Sequence, residues 1–382
     1  MVQRAVISGI YATPAGKLPG STCMSLHAQA ALGALVDAGL SLDDVDGVLC
    51  AYSFTEPHQM LSSIFAEYIG LQPNYSASIS AGGATACLMV MTAKALVENG
   101  TCRHILLATG DNRLTGMPPG GAVAALAHFG HRQFEVPYGM TVPACYALVA
   151  QRYMHEYGLT RDQLSAVSVT QRRQAGLHPG AQFKNPITVE EVSTSRLIAS
   201  PLRLLDCAPV SDGGAAVLVS AAEEVAQGSR AVPILGAGQK HTHEHIMAAP
   251  SLTRFGCRQS SATAFEQAGV TPQEIDVAEI YDSFTITLLV ELESIGFFPK
   301  GQAGQAAASG ELGLGGRLPC NTHGGLLSYG HPGPAGGMYH IVEAVTQLRG
   351  EAAGRQVKDA RLAFVHGDGG ILSAHCSLVL GK

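Results

Sequence analysis

The sequence predicts an α/β fold of two similar halves, and three observations support this prediction. Helical and strand patterns alternate along the 382 residues, which is typical of sheets covered by helices on both faces. A helix end with glycine, a short turn and an apolar strand occur at 38–46 and again at 268–276. In each half, a glycine-rich turn opens a helix, and a later apolar strand runs into a Gly-Asp turn.

The repeated elements follow in the same order in both halves. The glycine-rich turn and its helix lie at 78–100 in the first half and at 323–350 in the second. The strand with its Gly-Asp turn lies at 104–112 (HILLATGDN) and at 360–370 (ARLAFVHGDGG). Two α/β halves in one chain are the simplest interpretation of this order.

An insertion interrupts the first half. Residues 113–205 are more polar and less periodic than their surroundings, as expected of an ordered binding loop. They carry dispersed basic residues: Arg172, Arg173 and Lys184. A strand pattern returns at 212–225. We therefore expect a first half at 1–225, with an inserted loop domain at about 113–205, and a second half at 231–382.

Composition and charge exclude several classes of partner. The formal net charge is −6 and no run of Lys or Arg occurs, so nucleic acid and anionic membranes are not expected partners. The first residues, MVQRAVISGIYATP, lack the pattern of a secretory signal, and no apolar run reaches 18 residues. We expect a cytoplasmic protein that contacts no membrane.

Cysteines and histidines give no recognisable metal motif. The nine cysteines include no CxxC pair and lie scattered through apolar segments, so reduced core thiols are expected. HTHEH at 241–245 lacks a complementary Cys, Asp or Glu motif, and no metal is expected there. GELGLGGRL at 310–318 lacks the strand and helix that flank a dinucleotide fingerprint. No bound cofactor is therefore predicted.

Glycine-flanked turns carry the candidate catalytic residues. In SISAGGATAC, Ser80 stands at the end of an apolar strand just before a helix. Free N–H groups at a helix start favour developing negative charge, so Ser80 is a candidate nucleophile. Capping of the helix is an equally good interpretation, and nothing in the local sequence decides between the two.

Two further turns and a strand end present tyrosines and histidines. LLSYGHPGPAGG places Tyr329 and His331 in a turn stiffened by prolines, where a histidine suits a donor or acid–base role. His366 in FVHGDGG follows an apolar strand. Tyr281 and Asp282 stand where a strand meets a long amphipathic helix, and capping of that helix accounts equally for Asp282.

In their order along the chain, these motifs resemble those of the thiolase superfamily, specifically the sterol-carrier-protein-type thiolases. The turn at 80–87 is similar to the family's nucleophile turn, and EIYDSF to its Asn-Glu-x-Phe motif. SYGHPGPAGG is similar to the Gly-His-Pro motif, and HGDGG to the closing Cys-x-Gly-Gly motif. Over essentially the whole chain, the resemblance implies a five-layered αβαβα thiolase fold of two βαβαβαββ halves, a homodimer, and an acyl group carried on coenzyme A.

The matching positions depart from the family at the residues that do its chemistry. Carried over residue by residue, the nucleophilic Cys falls on Ser80, the acid–base Cys on His366, and the Asn of Asn-Glu-x-Phe on Tyr281. The histidine of Gly-His-Pro is retained as His331. Cys87 lies about two turns into the predicted helix, too far from its start to replace the nucleophile. Both catalytic thiols are therefore missing.

Without a thiol, enolate chemistry replaces covalent acyl transfer in the predicted mechanism. The tyrosines of YD-x-F and YGHPG resemble those of the thiolase-like aldolases of steroid side-chain degradation, which implies retro-aldol cleavage of a β-hydroxyacyl-CoA. One of Tyr281 and Tyr329 would remove the β-hydroxyl proton and the other would protonate the enolate. His331, with His366, would hold the thioester oxygen. The resemblance also implies a separate partner protein with an OB-fold and a zinc ribbon.

Two alternatives stay open at the level of sequence. In the first, Ser80 carries the acyl group and a histidine activates it, which would make the protein an acyl-CoA C-acyltransferase. In the second, the chain is a non-catalytic acyl-CoA-binding subunit whose partner does the chemistry. In each case coenzyme A enters as part of the substrate, and the basic residues of the insertion are candidates to meet its phosphates.

Overall fold

The first half begins with alternating strands and helices. The computed structural model describes residues 4–126, 129–226 and 228–382. Before the insertion come β1 (Ala5–Ala12), α1 (Cys23–Ala38), β2 (Gly47–Ala51), α2 (Leu61–Ile69), β3 (Tyr75–Ile79), α3 (Thr85–Glu98) and β4 (His104–Asn112). Helix α1 starts where the Thr22 hydroxyl accepts from the Ser25 N–H and ends at Gly39, in the left-handed region that glycine tolerates.

The insertion is mostly helical. It contains α4 (Gly121–Leu126), α5 (Val142–Tyr157), α6 (Arg161–Ala175), α7 (Val189–Thr194) and a short hairpin of β5 (Leu197–Ala199) and β6 (Leu202–Arg203). After it, β7 (Asp212–Ala221) returns to the sheet between β4 and β1. The predicted domain boundaries stay a prediction, since the strand order does not itself define separate domains.

The second half repeats this alternation. Its elements are β8 (Val232–His241), α8 (Cys257–Ala268), β9 (Val277–Ile280), α9 (Thr285–Ile295), α10 (Ala303–Ser309), α11 (Gly325–Ser328), α12 (Pro334–Arg349), β10 (Leu362–Gly369) and β11 (Ala374–Gly381). Helix α8 ends at Gly269 with φ 68°, just as α1 ends at Gly39 with φ 70°. The sequence repeat therefore corresponds to a repeated helix end and turn.

The sheet shows the same pairing pattern twice. Hydrogen bonds join the strands in the order β3-β2-β4-β7-β1-β8-β11-β10-β9. In the first half, parallel β2 and β4 are followed by antiparallel β7 and β1. In the second, parallel β9 and β10 are followed by antiparallel β11 and β8. The halves meet where β1 pairs with β8 over Val6 and Ile7.

Helices lie on both sides of the strands and between the halves. Helix α1 packs on β1, β4 and β7, and α8 packs on β8 and β11. Helices α3 and α12 contact each other and strands of both halves, so they form a shared middle layer. The strands of the first half and those of the second half form the two sheet layers, joined where β1 pairs with β8. The resulting order of helix, sheet, helix, sheet and helix confirms the predicted five-layered α/β fold. No helix within the described residues combines the length and apolarity needed to cross a membrane.

Candidate active site

Residues that follow the strands of both halves come together at one place, which we call the crevice. Parallel strands β2 and β4 end near Tyr52 and Arg113, and parallel strands β9 and β10 end near Tyr281 and Gly369. The middle helices α3 and α12 begin at the same place, because a Cβ on Gly337 would lie 2.8 Å from the carbonyl oxygen of Gly83. Carboxyl ends of parallel strands and converging helix starts are where ligands bind in such folds.

Tyr281 and His331 form the central contact of this crevice. The Tyr281 hydroxyl and His331 Nε2 lie 2.7 Å apart. Tyr281 directly follows β9, and its backbone N–H donates to the His366 carbonyl oxygen at 3.0 Å. His331 precedes α12, and its backbone N–H donates to the Ser211 hydroxyl at 2.8 Å. The fold thus brings together two of the residues singled out from the sequence.

Gly83 gives Tyr281 its place against helix α3. A Cβ on Gly83 would lie 2.2 Å from Tyr281 Cζ and 2.2 Å from the Asp368 carbonyl oxygen. Such distances are far below van der Waals contact, so only glycine fits at this position. The phenol ring therefore lies directly over the backbone at the start of α3.

Burial keeps the pair in its neutral forms. Burial raises the pKa of Tyr281 well above its usual value, with nearby Tyr52 adding to the shift. Burial, with a smaller contribution from the cationic Arg113, lowers the pKa of His331 to about 3. At neutral pH a protonated phenol faces a neutral imidazole, and either group can be the donor in their hydrogen bond. The pair is therefore suited to delivering a proton or holding an oxyanion.

Arg113 and Tyr52 belong to this crevice, although the sequence analysis did not select them. Arg113 is 3% exposed and its guanidinium lies 4.5 Å from the centre of the Phe54 ring. Its Nε has no hydrogen-bond partner among the described residues. Burial raises the pKa of the neighbouring Tyr52 to about 12. Both residues directly follow strands of the first half, and a buried cation there could have been suspected from the turn GDNR.

Tyr329 does not meet the pair in this structure. Its hydroxyl donates to the Thr13 carbonyl oxygen at 3.2 Å, and its ring packs against His178 and His323. Within the described residues, no hydrogen bond links the Tyr329 side chain to Tyr281 or His331. Its catalytic role stays a prediction.

Ser80 stands apart from the pair as well. It is exposed and precedes a tight turn, in which the Ala81 N–H donates to the Thr85 hydroxyl at 2.9 Å. In this turn it is Gly83 whose backbone packs directly against the Tyr281 ring. None of the hydrogen bonds among described residues connects Ser80 to a histidine. A nucleophilic Ser80 remains an untested prediction.

His366 points to the opposite face of the sheet. Neighbouring residues of a strand face opposite sides, and a Cβ on Gly367 would lie 2.8 Å from the Cα of Ala84, the residue just before helix α3. The His366 side chain therefore faces away from α3, where its Nδ1 lies 2.8 Å from the Ser377 hydroxyl. The strand register thus separates the His366 ring from the Tyr281–His331 pair.

The cysteines are free and poorly suited to nucleophilic catalysis. All of them are buried except Cys207, which is half-buried. Cys87 is the third residue of α3, nearer the helix start than expected, yet it is 1% exposed. Burial raises its pKa well above the usual value of a thiol. A thiol that stays protonated is a weak nucleophile.

Behind the pair, buried acids fix the backbone. Asp282 accepts from the Leu326 N–H at 2.6 Å, so it caps α11 instead of α9. Glu279 lies 3.0 Å from His323 Nδ1 and 3.4 Å from His340 Nδ1. Although burial opposes it, these histidines lower the pKa of Glu279 to about 2. Asp282 and Glu279 therefore act as supports of the site.

The insertion contacts the turn that carries His331. The Gln182 N–H donates to the Tyr329 carbonyl oxygen at 2.8 Å. A cavity of about 350 Å³ lies beside it, lined by Arg172, Ala181, Gln182, Phe183, Lys184 and Asn185. Two of the three basic residues noted in the sequence, Arg172 and Lys184, thus share one cavity.

Comparison with known proteins supports the same fold along the whole chain. Residues 5–223 match the family described as Thiolase, N-terminal domain, and residues 238–382 match the Thiolase C-terminal domain-like family. A solved structure described as an Ltp2-ChsH2(DUF35) aldolase has a TM-score of 0.87 at 32% identity, and covers 100% of this chain and 99% of that chain.

Two relatives with different activities are similar over nearly their full length. An acetyl-CoA acetyltransferase of Methanothermobacter thermautotrophicus is 35% identical over 378 residues, 97% of this chain and 98% of that protein. The 17-hydroxy-3-oxo-4-pregnene-20-carboxyl-CoA lyase of Mycobacterium tuberculosis is 37% identical over 368 residues, 91% of this chain and 92% of that protein. Since the family matches span both halves, the chain belongs to the thiolase superfamily of acyl-CoA enzymes, as its motifs predicted.

Proposed function

We propose that the protein cleaves a carbon–carbon bond of a β-hydroxyacyl-CoA by a retro-aldol reaction, without an acyl-enzyme intermediate. The observation that carries the proposal is the 2.7 Å contact between Tyr281 and His331 in a crevice whose nearby thiol, Cys87, is buried and protonated. Similarity to a steroid-CoA lyase and to an aldolase structure supports the same activity.

In this reaction the β-hydroxyl loses its proton and becomes the carbonyl of one product. The electron pair of the breaking bond moves to the α-carbon and gives a thioester enolate, which must then be protonated. A buried phenol that keeps its proton suits this last step, and we assign it to Tyr281. Neutral His331 and the starts of α3 and α12 would stabilise the enolate oxygen.

The β-hydroxyl proton is proposed to leave through Tyr329, as the sequence hypothesis requires. Burial raises the pKa of Tyr329 well above its usual value, so this phenol is protonated and must pass its own proton on toward solvent as it accepts the substrate's proton. Tyr329 lies two residues before His331 in the same rigid turn. Its hydroxyl donates to the Thr13 carbonyl in the free chain, so the substrate would have to replace that bond. Catalytic hydrogen bonds often form only in the substrate complex, so the free geometry is compatible with this role.

The coenzyme A portion is proposed to lie against the insertion. Arg172 and Lys184 line one cavity next to the His331 turn, and phosphates are typical ligands of such basic groups. The solved aldolase contains a DUF35 protein, as its description states. By analogy we propose an OB-fold and zinc-ribbon partner for this chain, together with a homodimer.

Acyl transfer remains the second candidate, because an acetyltransferase is among the similar proteins. Its nucleophile would be Ser80, whose side chain makes no hydrogen bond to a histidine within the described residues. An acyl group found on Ser80 by mass spectrometry, and lost in Ser80→Ala, would support acyl transfer. Its absence during turnover would favour the aldolase.

The experiment that tests the proposal supplies a β-hydroxyacyl-CoA and identifies the products. We expect a ketone or aldehyde and a shortened acyl-CoA in equal amounts, with a DUF35-type partner added if the chain alone is inactive. Tight binding of the thioester without any cleavage, in the presence of the partner, would instead indicate a non-catalytic acyl-CoA-binding subunit.

A further inference from the structure

A second group of reactive side chains lies on the far side of the β10–β11 sheet. Cys257 opens helix α8, Glu291 lies on α9, and His366 and His375 lie on β10 and β11. All four are completely buried. The residues come from four separate elements, and none of them belongs to the Tyr281–His331 crevice.

The potential ligand atoms are spaced as around a single ion. His366 Nε2 lies 3.1 Å from His375 Nδ1 and 3.5 Å from Glu291 Oε1, and His375 Nδ1 lies 3.8 Å from that same oxygen. Potential ligand atoms of Cys257, His366 and His375 also lie within 4.8 Å of one another, as do those of Glu291, Asp368 and His375. Ligands about 2.0–2.3 Å from a tetrahedral zinc ion are separated by about 3–4 Å.

The second nitrogen of each imidazole has its own partner. His366 Nδ1 lies 2.8 Å from the Ser377 hydroxyl, and His375 Nε2 lies 3.0 Å from the Leu372 carbonyl oxygen. Metal-binding histidines almost always use their outer nitrogen in this way, which fixes the ring and leaves the inner nitrogen free to bind. Both inner nitrogens here face Glu291.

Glu291 is the feature that a network of hydrogen bonds does not explain. A bond from His366 Nε2–H to His375 Nδ1 would satisfy both imidazoles. Both oxygens of Glu291, however, have no hydrogen-bond partner among the residues the structure describes. Burial raises the pKa of Glu291 well above its usual value, so in the absence of a cation this carboxyl keeps a proton. A metal ion would displace that proton and give the otherwise unpartnered oxygens a ligand role.

We propose that Cys257, Glu291, His366 and His375 bind one divalent transition-metal ion, zinc by preference. A thiolate and a carboxylate balance the two positive charges, so the loaded site is neutral and burial is tolerable. The mixture of one sulfur, two imidazoles and one carboxylate in tetrahedral spacing suits zinc better than magnesium or calcium, which prefer oxygen ligands. A closed set of four protein ligands indicates a structural ion.

The ion would join α8 and α9 to the end of the second sheet. Tyr281 is held by the His366 carbonyl, so the site fixes the strand that supports the catalytic crevice without contacting it. The sequence alone predicts no metal, and the reason is now visible: the four ligands lie far apart along the chain and produce no spacing motif.

Metal analysis of the untagged full chain, purified without chelator, tests the proposal. We expect about one zinc per chain in the wild type, and at least a tenfold loss in Cys257→Ser and in His375→Gln. Cys376→Ser is the matched control: this cysteine is equally buried and adjacent to His375, but packs on the opposite face of β11. Metal-free wild type, or a Cys257→Ser variant with full zinc content, would overturn the proposal.

A measurement on the wild type alone covers the case in which the variants do not fold. X-ray absorption at the zinc edge should show one sulfur and three nitrogen or oxygen neighbours. After refolding with cobalt(II), the thiolate-to-metal charge-transfer band should be present. A zinc spectrum without sulfur would overturn the assignment even if zinc were bound.

Discussion

Replacing Tyr281 by phenylalanine removes the hydroxyl that contacts His331 at 2.7 Å and leaves the ring over Gly83. Loss of a proton-transfer group lowers rates by about 10²–10⁴-fold, which corresponds to about 3–5 kcal/mol of transition-state stabilisation. Loss of a neutral hydrogen bond costs only about 0.5–1.5 kcal/mol of folding stability. We therefore expect kcat/KM for aldol cleavage to fall by at least about 10²-fold, with a small change in Tm.

The assay is chromatographic detection of the shortened acyl-CoA, with circular dichroism to follow unfolding. Tyr153→Phe is the control. Tyr153 lies in the insertion, away from the crevice; it is also buried, and its hydroxyl donates to Glu293. It should lose comparable stability and keep its activity. A Tyr281→Phe enzyme with kcat/KM within about threefold of the wild type would remove Tyr281 from proton transfer.

Three further predictions follow from the same crevice. Treatment with iodoacetamide, which alkylates accessible thiols, should leave the activity unchanged, because every thiol except half-buried Cys207 is buried. Rapid inactivation that bound substrate prevents would instead reveal a catalytic thiol. The profile of kcat/KM against pH should lack an inflection near 6.5, because the pKa of His331 is lowered to about 3; an inflection there that disappears in His331→Asn would contradict this. Below about pH 6.5 the unfolded chain binds a proton at His331 that the folded chain does not bind until about pH 3, so the free energy of unfolding should fall by about 1.4 kcal/mol per pH unit for this group as the pH is lowered, and Tm should fall with it. His331→Asn should reduce that slope, and an unchanged slope would contradict the lowered pKa.

A fourth prediction concerns the glycine beneath the phenol. Gly83→Ala should displace Tyr281 and lower kcat/KM by about 10²-fold, because the new Cβ would lie 2.2 Å from Tyr281 Cζ. Gly354→Ala, which has no atom within 4 Å of its Cβ position, should behave like the wild type. Equal activities of the two variants would show that the contact does not position the phenol.

The repeated order of elements was readable from the sequence because local chemistry marks each one. Gly39 and Gly269 end corresponding helices in the left-handed conformation, and alternating apolar segments predict strands and helices regardless of tertiary contacts. Tyr281 and His331 were also found in this way. Tyr281 directly follows a strand, and His331 precedes a helix in a glycine-rich turn, and such positions meet at the ends of parallel strands.

Side-chain direction was harder to predict than position. His366 and Gly367 are adjacent in the sequence, yet they face opposite sides of β10. If a motif is aligned one position too early or too late, the residue assigned to the crevice is therefore one that faces the other side of the strand. The same holds for Ser80 and Gly83 in the turn before α3, where the tight backbone decides which residue meets Tyr281. Pairing partners fix these directions, and a single sequence does not contain them.

Groups assembled from distant segments gave no local signal at all. Arg113 belongs to the first half and lies 168 positions before Tyr281 in the sequence. It matters to the crevice because its charged side chain is buried there, which the sequence does not show. The four proposed metal ligands lie between positions 257 and 375 on separate elements. Only the folded arrangement of α8, α9, β10 and β11 brings them together.

The dependence of cleavage on free coenzyme A tests the central claim most directly. Retro-aldol cleavage releases the shortened acyl-CoA without consuming a thiol, whereas thiolysis transfers an acyl group from the enzyme to a second coenzyme A. We predict that the wild-type enzyme, stripped of free coenzyme A, converts a β-hydroxyacyl-CoA at its full rate and shows no increase in protein mass during turnover. Cleavage that begins only when coenzyme A is added, together with an acyl adduct on the protein, would contradict the account.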